Sequence, residues 1–300
     1  MLAGAGSESK GGKMHSVSRR RQAAVLRRLG PGTPVAILLV AAACAVQAAE
    51  WFVATNGLDA GHDGQSWAQA FRTISNAVAR AHATTPETIY VSNGIYQTSH
   101  EITIAKPVTL LGVNGWSNTV VQGNASYPSL MNRCFNVNHT AAVVRGFTIT
   151  NGGDFLPKQF RGGGVSLQNG TIRDCLITGC RAYQGGGVYM KGDSDWRHSL
   201  VSNCVIRGNI SSNDSSATGG GGVSLRAGSL VDCVISGNAD MSPVGNAMGG
   251  GVAVYQPDAY PWLISGCSIT DNEAYDGGGL HINSAVPRAI LDTHVDRNTS

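Results

Sequence analysis

Lys191, Asp193 and Asp195 stand beside Trp196 and His198 in the stretch KGDSDWRHS. Glycoside hydrolysis needs two carboxyl groups about 5–10 Å apart, one as acid and the other as nucleophile or base. Asp193 and Asp195 form a close acidic pair with an aromatic ring and an imidazole next to it. Gly-Asp-Ser-Asp is equally an ordinary turn composition, so the stretch reads just as well as a hydrophilic loop. A second set is aromatic: Trp196 in that loop, and Tyr255, Tyr260 and Trp262 around Asp258 in YQPDAYPW. Rings with carboxylates nearby suit sugars, which stack on an aromatic face and hydrogen-bond at its edge; the same rings can instead cover the flank of the fold or pack on each other. A third set is a column, Asp174, Asn203, Asp232, Gly266 and Asp292, one residue per sequence repeat. Outward carboxylates in adjacent repeats repel unless a cation lies between them, and oxygen-only ligands suit calcium, which makes Asp174 and Asp232 candidate ligands. Asn203 and Gly266 dilute the column, and spaced acids solvated at a turn are the plainer account.

These residues are placed by a repeat. A glycine triplet followed by an apolar alternation recurs as GGGVSL at Gly162, GGGVYM at Gly185, GGGVSL at Gly220, GGGVAV at Gly249 and GGGLHI at Gly277. Each copy is trailed by a second phrase built around Cys175, Cys204, Cys233, Cys267 and then Thr293, with the cysteines 29, 29 and 34 residues apart. An asparagine stands five residues later at Asn209, Asn238, Asn272 and Asn298. A fixed period of this size is the mark of a solenoid, whose repeats bury their apolar side only against their neighbours. CFNVNHTAAVVRGFTITN, from Cys134, carries the phrase in degenerate form, with Gly146 in the cysteine place and Asn151 five residues on. Seven or eight coils are expected, each rising about 4.8 Å if they pair as parallel strands.

Alternation predicts which side chains point inward. In one sheet these are Val165 and Leu167, Val188 and Met190, Val223 and Leu225, Val252 and Val254, and Leu280 and Ile282, leaving Ser166, Tyr189, Ser224, Ala253 and His281 to face water. In a second sheet each cysteine points inward with the isoleucine two residues on (Ile177, Ile206, Ile235, Ile269), as does Thr293 with Val295. Cysteines stacked at one place per coil have parallel Cα–Cβ directions that do not favour a disulfide dihedral, so they read as free buried thiols acting as small hydrophobes. No Cys-x2-Cys pair is present to suggest a metal site. The asparagines read as a hydrogen-bonded ladder at a turn, interrupted by Cys180, and the glycines as a corner that needs positive φ or has no room for a Cβ.

Composition agrees with a turn-rich β chain: 14% charged residues, 6% aromatic and 40 glycines in 300 residues. The first 49 residues read as a secretory leader, with a basic region that includes Arg19, Arg20 and Arg21, an apolar run from Val35 to Val46, and cleavage near Ala48 or Ala49. Twelve apolar residues are short of the roughly 20 that cross a bilayer. A twin-arginine signal at Arg19-Arg20 and a lipid-modified Cys44 are weaker readings of the same segment, and Met14 is an alternative start. The leader carries 7 of the 22 Lys and Arg but one of the 19 Asp and Glu, so the remainder of the chain is slightly acidic. That leaves no basic stripe for nucleic acid. Residues 50–86 read as an N-terminal cap, with a strand over Phe52–Thr55 and a helix capped by Thr73 whose apolar face is Ile74, Ala77, Val78 and Ala81. Residues 87–300 read as the solenoid.

Phe52-Val53, Gly57, Asp59, Ser66-Trp67, Ala70 to Ile74, Ile89 to Tyr96 and Ile102 to Gly112 come in an order that resembles the opening of secreted proteins of the pectate-lyase-like superfamily. The resemblance implies an all-β, right-handed, single-stranded parallel β-helix with a strand-plus-helix cap. It implies calcium-dependent polysaccharide lyases as one possible activity, which pair such acids with a Lys or Arg base; Lys158 and Lys191 are the lysines of the repeats, and neither lies in a lyase motif. The GGG[VL] and C-x-I-x-x-N phrases are also similar to the repeats of polymorphic outer-membrane proteins, which are surface-displayed β-helical adhesins, although here a third glycine replaces alanine and cysteine replaces phenylalanine. The chain stops after a complete phrase with no capping segment, so further coils or an anchor are expected beyond Ser300. The function expected is extracellular binding or adhesion to carbohydrate or a cell surface, by a secreted or outer-surface protein. A lyase or hydrolase acting on acidic polysaccharide is the alternative. An enzyme should gather Asp, Glu, Lys or Arg from three consecutive coils in one groove.

Overall fold

The computed structural model describes residues 49–123, 132–153, 161–192, 195, 198–212, 219–243, 247–255, 260–284 and 289–300. The proposed leader, with Cys44, therefore lies outside the described residues, as do Asp193, Trp196 and Asp258. All pairing between the described strands is parallel, and each coil lies in register on the next. The chain is a parallel β-helix.

The first sheet runs from Glu50–Val53 through Glu87–Val91, Val108–Gly112, Phe135–Arg145 and Val165–Arg173 to Val188–Met190, Val223–Leu225, Val252–Tyr255 and Leu280–Asn283. Beyond Val165–Arg173 it forks, and Ser199–Ser202, Gly228–Val231, Trp262–Ser265 and Ala289–Leu291 continue its second half. The second sheet has eight strands, ordered from Gly94–Gln97 to His294–Asp296. A third, short sheet of Arg181–Ala182, Ile210–Ser211 and Ala239–Asp240 closes the coil; alternation in strands of two residues is too brief to announce it. At its last strand the buried Asp240 carboxylate accepts the N–H and hydroxyl of Ser242 at 3.2 and 2.6 Å and the N–H of Met248 at 2.7 Å.

Between the sheets lie stacked rows: Ile149, Ile177, Ile206, Ile235 and Ile269 in one register, all fully buried. Ile282 and Val295 hold inward positions in the last described coil and are 43% and 47% exposed. Register also corrects the degenerate copy. Phe147, not Gly146, stands in the cysteine row, since Thr148 pairs with Leu176. Asn151 therefore matches Gly179, and Gly152 matches Cys180 ahead of the asparagines.

The asparagine ladder is continuous from Asn209 to Asn298. Each Nδ2 donates to an isoleucine carbonyl one coil back, as Asn238 does to Ile206 O at 2.9 Å, and to the Oδ1 of the next asparagine. Each Oδ1 in turn accepts the preceding backbone N–H, as Asn238 does from Asn209 at 3.0 Å, and Cys180 N–H joins the first rung at Asn209. Two columns of left-handed backbone flank the second sheet. Asp174, Asn203, Asp232, Gly266 and Asp292 have φ of 55, 49, 51, 63 and 45°, and Asn151, Gly179, Gly208, Gly237, Asp271 and Arg297 form the other. Asp, Asn and Gly are the residues that tolerate this conformation, so backbone shape accounts for their choice. In the triplets the first glycine carries the positive φ, and a Cβ on the second has no room: at Gly221 it would lie 2.3 Å from Ala239 O.

The six cysteines of the described residues are unpaired and buried, and Cys175, Cys204 and Cys233 each place Sγ 3.2 Å from the carbonyl two residues back. Burial pushes Cys134 and Cys204 well up from the ordinary thiol range and Cys180 to about 12. Since the thiolate is the reactive form, a protein with Cys44 replaced by serine should give almost no reaction with Ellman's reagent until denatured, then six equivalents. Rapid native labelling of two or more would contradict this packing.

The cap strand is Glu50–Val53, slightly earlier than the sequence indicated, and the helix is Ile74–Arg80. Thr73 Oγ1 accepts Asn76 N–H at 3.2 Å, and Asp59 in turn takes the N–H groups of Arg72 and Thr73. Lys106 Nζ binds the carbonyls of Val78, Ala79 and Ala81 at the helix's other end, where free carbonyls and the helix dipole favour a cation. Beneath lies Glu87, a buried carboxylate that takes the Trp51 indole N–H at 2.8 Å, the His82 N–H at 3.1 Å and the His82 ring. Burial alone would raise its pKa, but the bonds from Trp51 and His82 outweigh it and hold the carboxyl below its ordinary value. Stability from this group is thus present above the usual carboxylate pKa of about 4.3 and lost as pH falls through the lower folded value. Glu87→Gln should cost about 1–3 kcal/mol at pH 7 and flatten the acid limb of a Tm-against-pH curve; an unchanged limb would count against the assignment.

Candidate functional site

The outward side of the first sheet carries two adjacent columns. One is Asn136, Ser166, Tyr189, Ser224, Ala253 and His281, set by pairwise register. The other comes one place after the inward residue of each strand: Gln168, Lys191, Arg226, Tyr255 and Asn283. Lys191 N–H bonds Leu167 O and Arg226 N–H bonds Met190 O, each at 2.9 Å, and Tyr255 pairs with Asn283.

The first column does not face water as alternation alone predicts. Ser166, Ser224 and Ala253 are buried and Tyr189 is 3% exposed. Tyr189 is covered by cations. The Arg161 guanidinium sits 5.4 Å from its ring centroid, and Arg226 Nη1 donates to its hydroxyl at 3.3 Å. Lys191 extends from the same strand as Tyr189 and is exposed. Arg161, Lys191 and Arg226 thus come from three consecutive coils, with Lys191 and Arg226 in register at a strand spacing of about 4.8 Å. Guanidinium over an aromatic face is a favourable cation–π arrangement, which pre-positions Arg161, while the bond to the Tyr189 hydroxyl positions Arg226. Towards the N-terminus the surface continues as a polar chain: Gln168 Nε2 to Asn136 Oδ1 at 3.3 Å, Asn136 Nδ2 to Glu101 Oε1 at 3.2 Å, and Arg133 Nε against Glu101 Oε2 at 2.9 Å.

Of the residues singled out from sequence, Lys191 and Tyr255 lie on this surface, and Tyr255 and Tyr260 are half-buried. Trp262 is no exposed platform: it is 4% exposed, begins a strand and points its indole N–H at Ser284 Oγ, 3.5 Å away. Asp195 faces His198, Oδ2 to Nε2 3.5 Å, within its own loop. Asp174 accepts Asn203 Nδ2 at 2.8 Å and lies 3.7 Å from Arg145 Nε. Asp232 is two coils from Asp174 with Asn203 between them, so the two carboxylates are not neighbours. Among the described residues no group of three His, Cys, Asp or Glu is placed to hold a metal ion, and no helix is long and apolar enough to cross a membrane. Arg161 and Arg226 are not among the residues that the sequence singles out. Arg226 is within its reach, because extending the alternation one residue past GGGVSL lands on it, whereas Arg161 precedes its triplet and belongs to no periodic phrase.

No family model matches the sequence, and no curated protein matches it. Solved structures similar to it include a pectin methylesterase from carrot (11% identity, TM-score 0.44, covering 81% of this chain and 82% of that one). Two others are the pectin methylesterase PemA from Erwinia chrysanthemi (14%, 0.41, 83% and 92%) and the deglycosylated pectin methylesterase from Aspergillus niger (15%, 0.40, 84% and 86%). At these identities and TM-scores the likeness assigns no residue of this chain a role.

Proposed function

We propose that this is an exported β-helix protein that binds acidic polysaccharide on the outer face of its first sheet. The observation that carries this reading is the gathering of Arg161, Lys191 and Arg226 from three successive coils around Tyr189. The segment after the leader is acidic overall, so a local concentration of positive charge on a regular face favours a polyanion whose charges recur along its length. Guanidinium groups bind carboxylates through paired hydrogen bonds, and Tyr255, next in the column, offers a ring edge beside them. Adhesion to a glycan-coated surface is the role that such a face would serve.

Cations gathered from three coils also favour the second reading, a polysaccharide lyase. There the cations would neutralise a uronate carboxylate, and Lys191 or an arginine would remove the adjacent C5 proton. The C4–O bond would then break, the leaving oxygen would take up a proton, and a C4=C5 double bond would remain. Incubating the exported protein with polygalacturonate, alginate and neutral glucan, with and without calcium, separates the two by the absorbance of the unsaturated product. Retention on the acidic polymers without absorbance is expected. Growth of absorbance establishes the lyase, and equal retention on neutral glucan removes the acidic-polysaccharide reading altogether.

A further inference from the structure

A groove of about 560 Å³ lies between the start of the cap helix and the turn 97–101. Ile95, 64% exposed, is its accessible apolar side chain, with the buried Ile74 and Ile102 behind it and threonines, serines and Gln97 around it. Its charged residues are Arg72 and Glu101, and His100 also lines it. Glu101 is already met by Arg133 at 2.9 Å and by Asn136 Nδ2 at 3.2 Å. Arg72, by contrast, bonds Asp59 through its backbone N–H, and its exposed guanidinium has no carboxylate partner among the described residues. His100 engages Ser99 Oγ through Nδ1 at 3.1 Å, leaving Nε2 towards solvent.

We infer that this groove binds a hexuronic acid unit, with the sugar carboxylate on Arg72. A concave site lined mostly by polar residues, with one exposed apolar side chain, Ile95, and one unmatched cation, suits a ligand that combines an anionic group and hydroxyls with a C–H face, and a uronic acid has all three. Paired N–H donors on a guanidinium match a carboxylate in geometry. Gln97 Nε2 is held by Gln122 O and Gly123 O, so its Oε1 is an acceptor fixed at the rim for a sugar hydroxyl. The choice of ligand rests on the acidic-polysaccharide reading, but the groove shares no cation with the outer-face cluster.

Titration calorimetry of the full chain with D-glucuronate, D-glucose and inorganic phosphate tests it, using wild type, Arg72→Ala, Ile95→Glu and, as a control, Arg207→Ala at an exposed position of the second sheet. Glucuronate should bind wild type at least about tenfold more tightly than glucose, and either groove substitution should weaken it about tenfold or more. Arg207→Ala should bind glucuronate as wild type does. Circular dichroism guards against misfolding, and Ile95→Glu acts by charge without touching Arg72. Absence of glucuronate binding, indifference to both groove substitutions, an equal loss in Arg207→Ala, or phosphate binding as tightly as glucuronate (an adventitious anion site) would each overturn the inference. Polymer retention failing while glucuronate still binds at Arg72 would sink the proposed function and leave the groove standing.

Discussion

Asn238→Ala should destabilise the protein by on the order of 4 kcal/mol or more, a loss large enough to lower solubility at 37 °C. The side chain makes four ladder bonds: to Ile206 O at 2.9 Å, to Asn272 Oδ1 at 2.9 Å, and from the N–H and Nδ2 of Asn209 at 3.0 Å each. Its removal orphans groups that are buried, and each such group costs about 1–3 kcal/mol. Bonds in a chain support one another in a low-dielectric interior, so the damage should reach Asn209 and Asn272. Because a solenoid's stability is local and passed between neighbours, hydrogen exchange should speed up in the coils on either side before it does so in the cap. Asn298→Ala, at a half-buried rung, should cost clearly less. Urea midpoints and amide exchange read both. A shift for Asn238→Ala below about 1 kcal/mol would mean that the ladder carries no weight.

Lys191→Ala with Arg226→Ala should weaken retention on polygalacturonate by about a hundredfold at low salt. Each removes one charge-assisted contact, worth about 1.5–3 kcal/mol, and each factor of ten corresponds to 1.4 kcal/mol. Wild-type binding should itself fall as ionic strength rises, since contacts at a solvent-facing surface are screened. Tyr255→Phe should leave binding nearly unchanged if the ring supplies only an edge. Affinity electrophoresis across a salt series gives both quantities. A double variant that runs like wild type would move the polysaccharide to another face.

Much of this architecture is written in the repeat. The inward pairs, the cysteine row and the asparagine ladder come from one period, because parallel stacking forces equivalent residues into contact. The turn columns show what the pattern leaves open: Asp174 and Asp232 read in sequence as weak candidate ligands or as acids at a turn, and their left-handed φ supplies a backbone reason for their residue types. The error at Gly146 has the same origin, since glycine belongs to that turn column and Phe147 to the core. Tyr189 shows the limit of alternation, which separates the two sides of a strand but says nothing of a neighbour such as Arg161 folding over the outer one. The groove at Arg72 lies further from reach, because it joins the cap to a turn nearly thirty residues later and no periodic signal connects them.

The binding face exists only if Lys191 and Arg226 are register neighbours in adjacent coils. With cysteines at both positions and a nitroxide on each, the native thiols remaining buried, continuous-wave spin resonance of the folded protein should show strong dipolar broadening, as Cα atoms about 4.8 Å apart require. A spectrum equal to the sum of the two singly labelled proteins would place these residues apart and contradict both the stacking and the binding face built upon it.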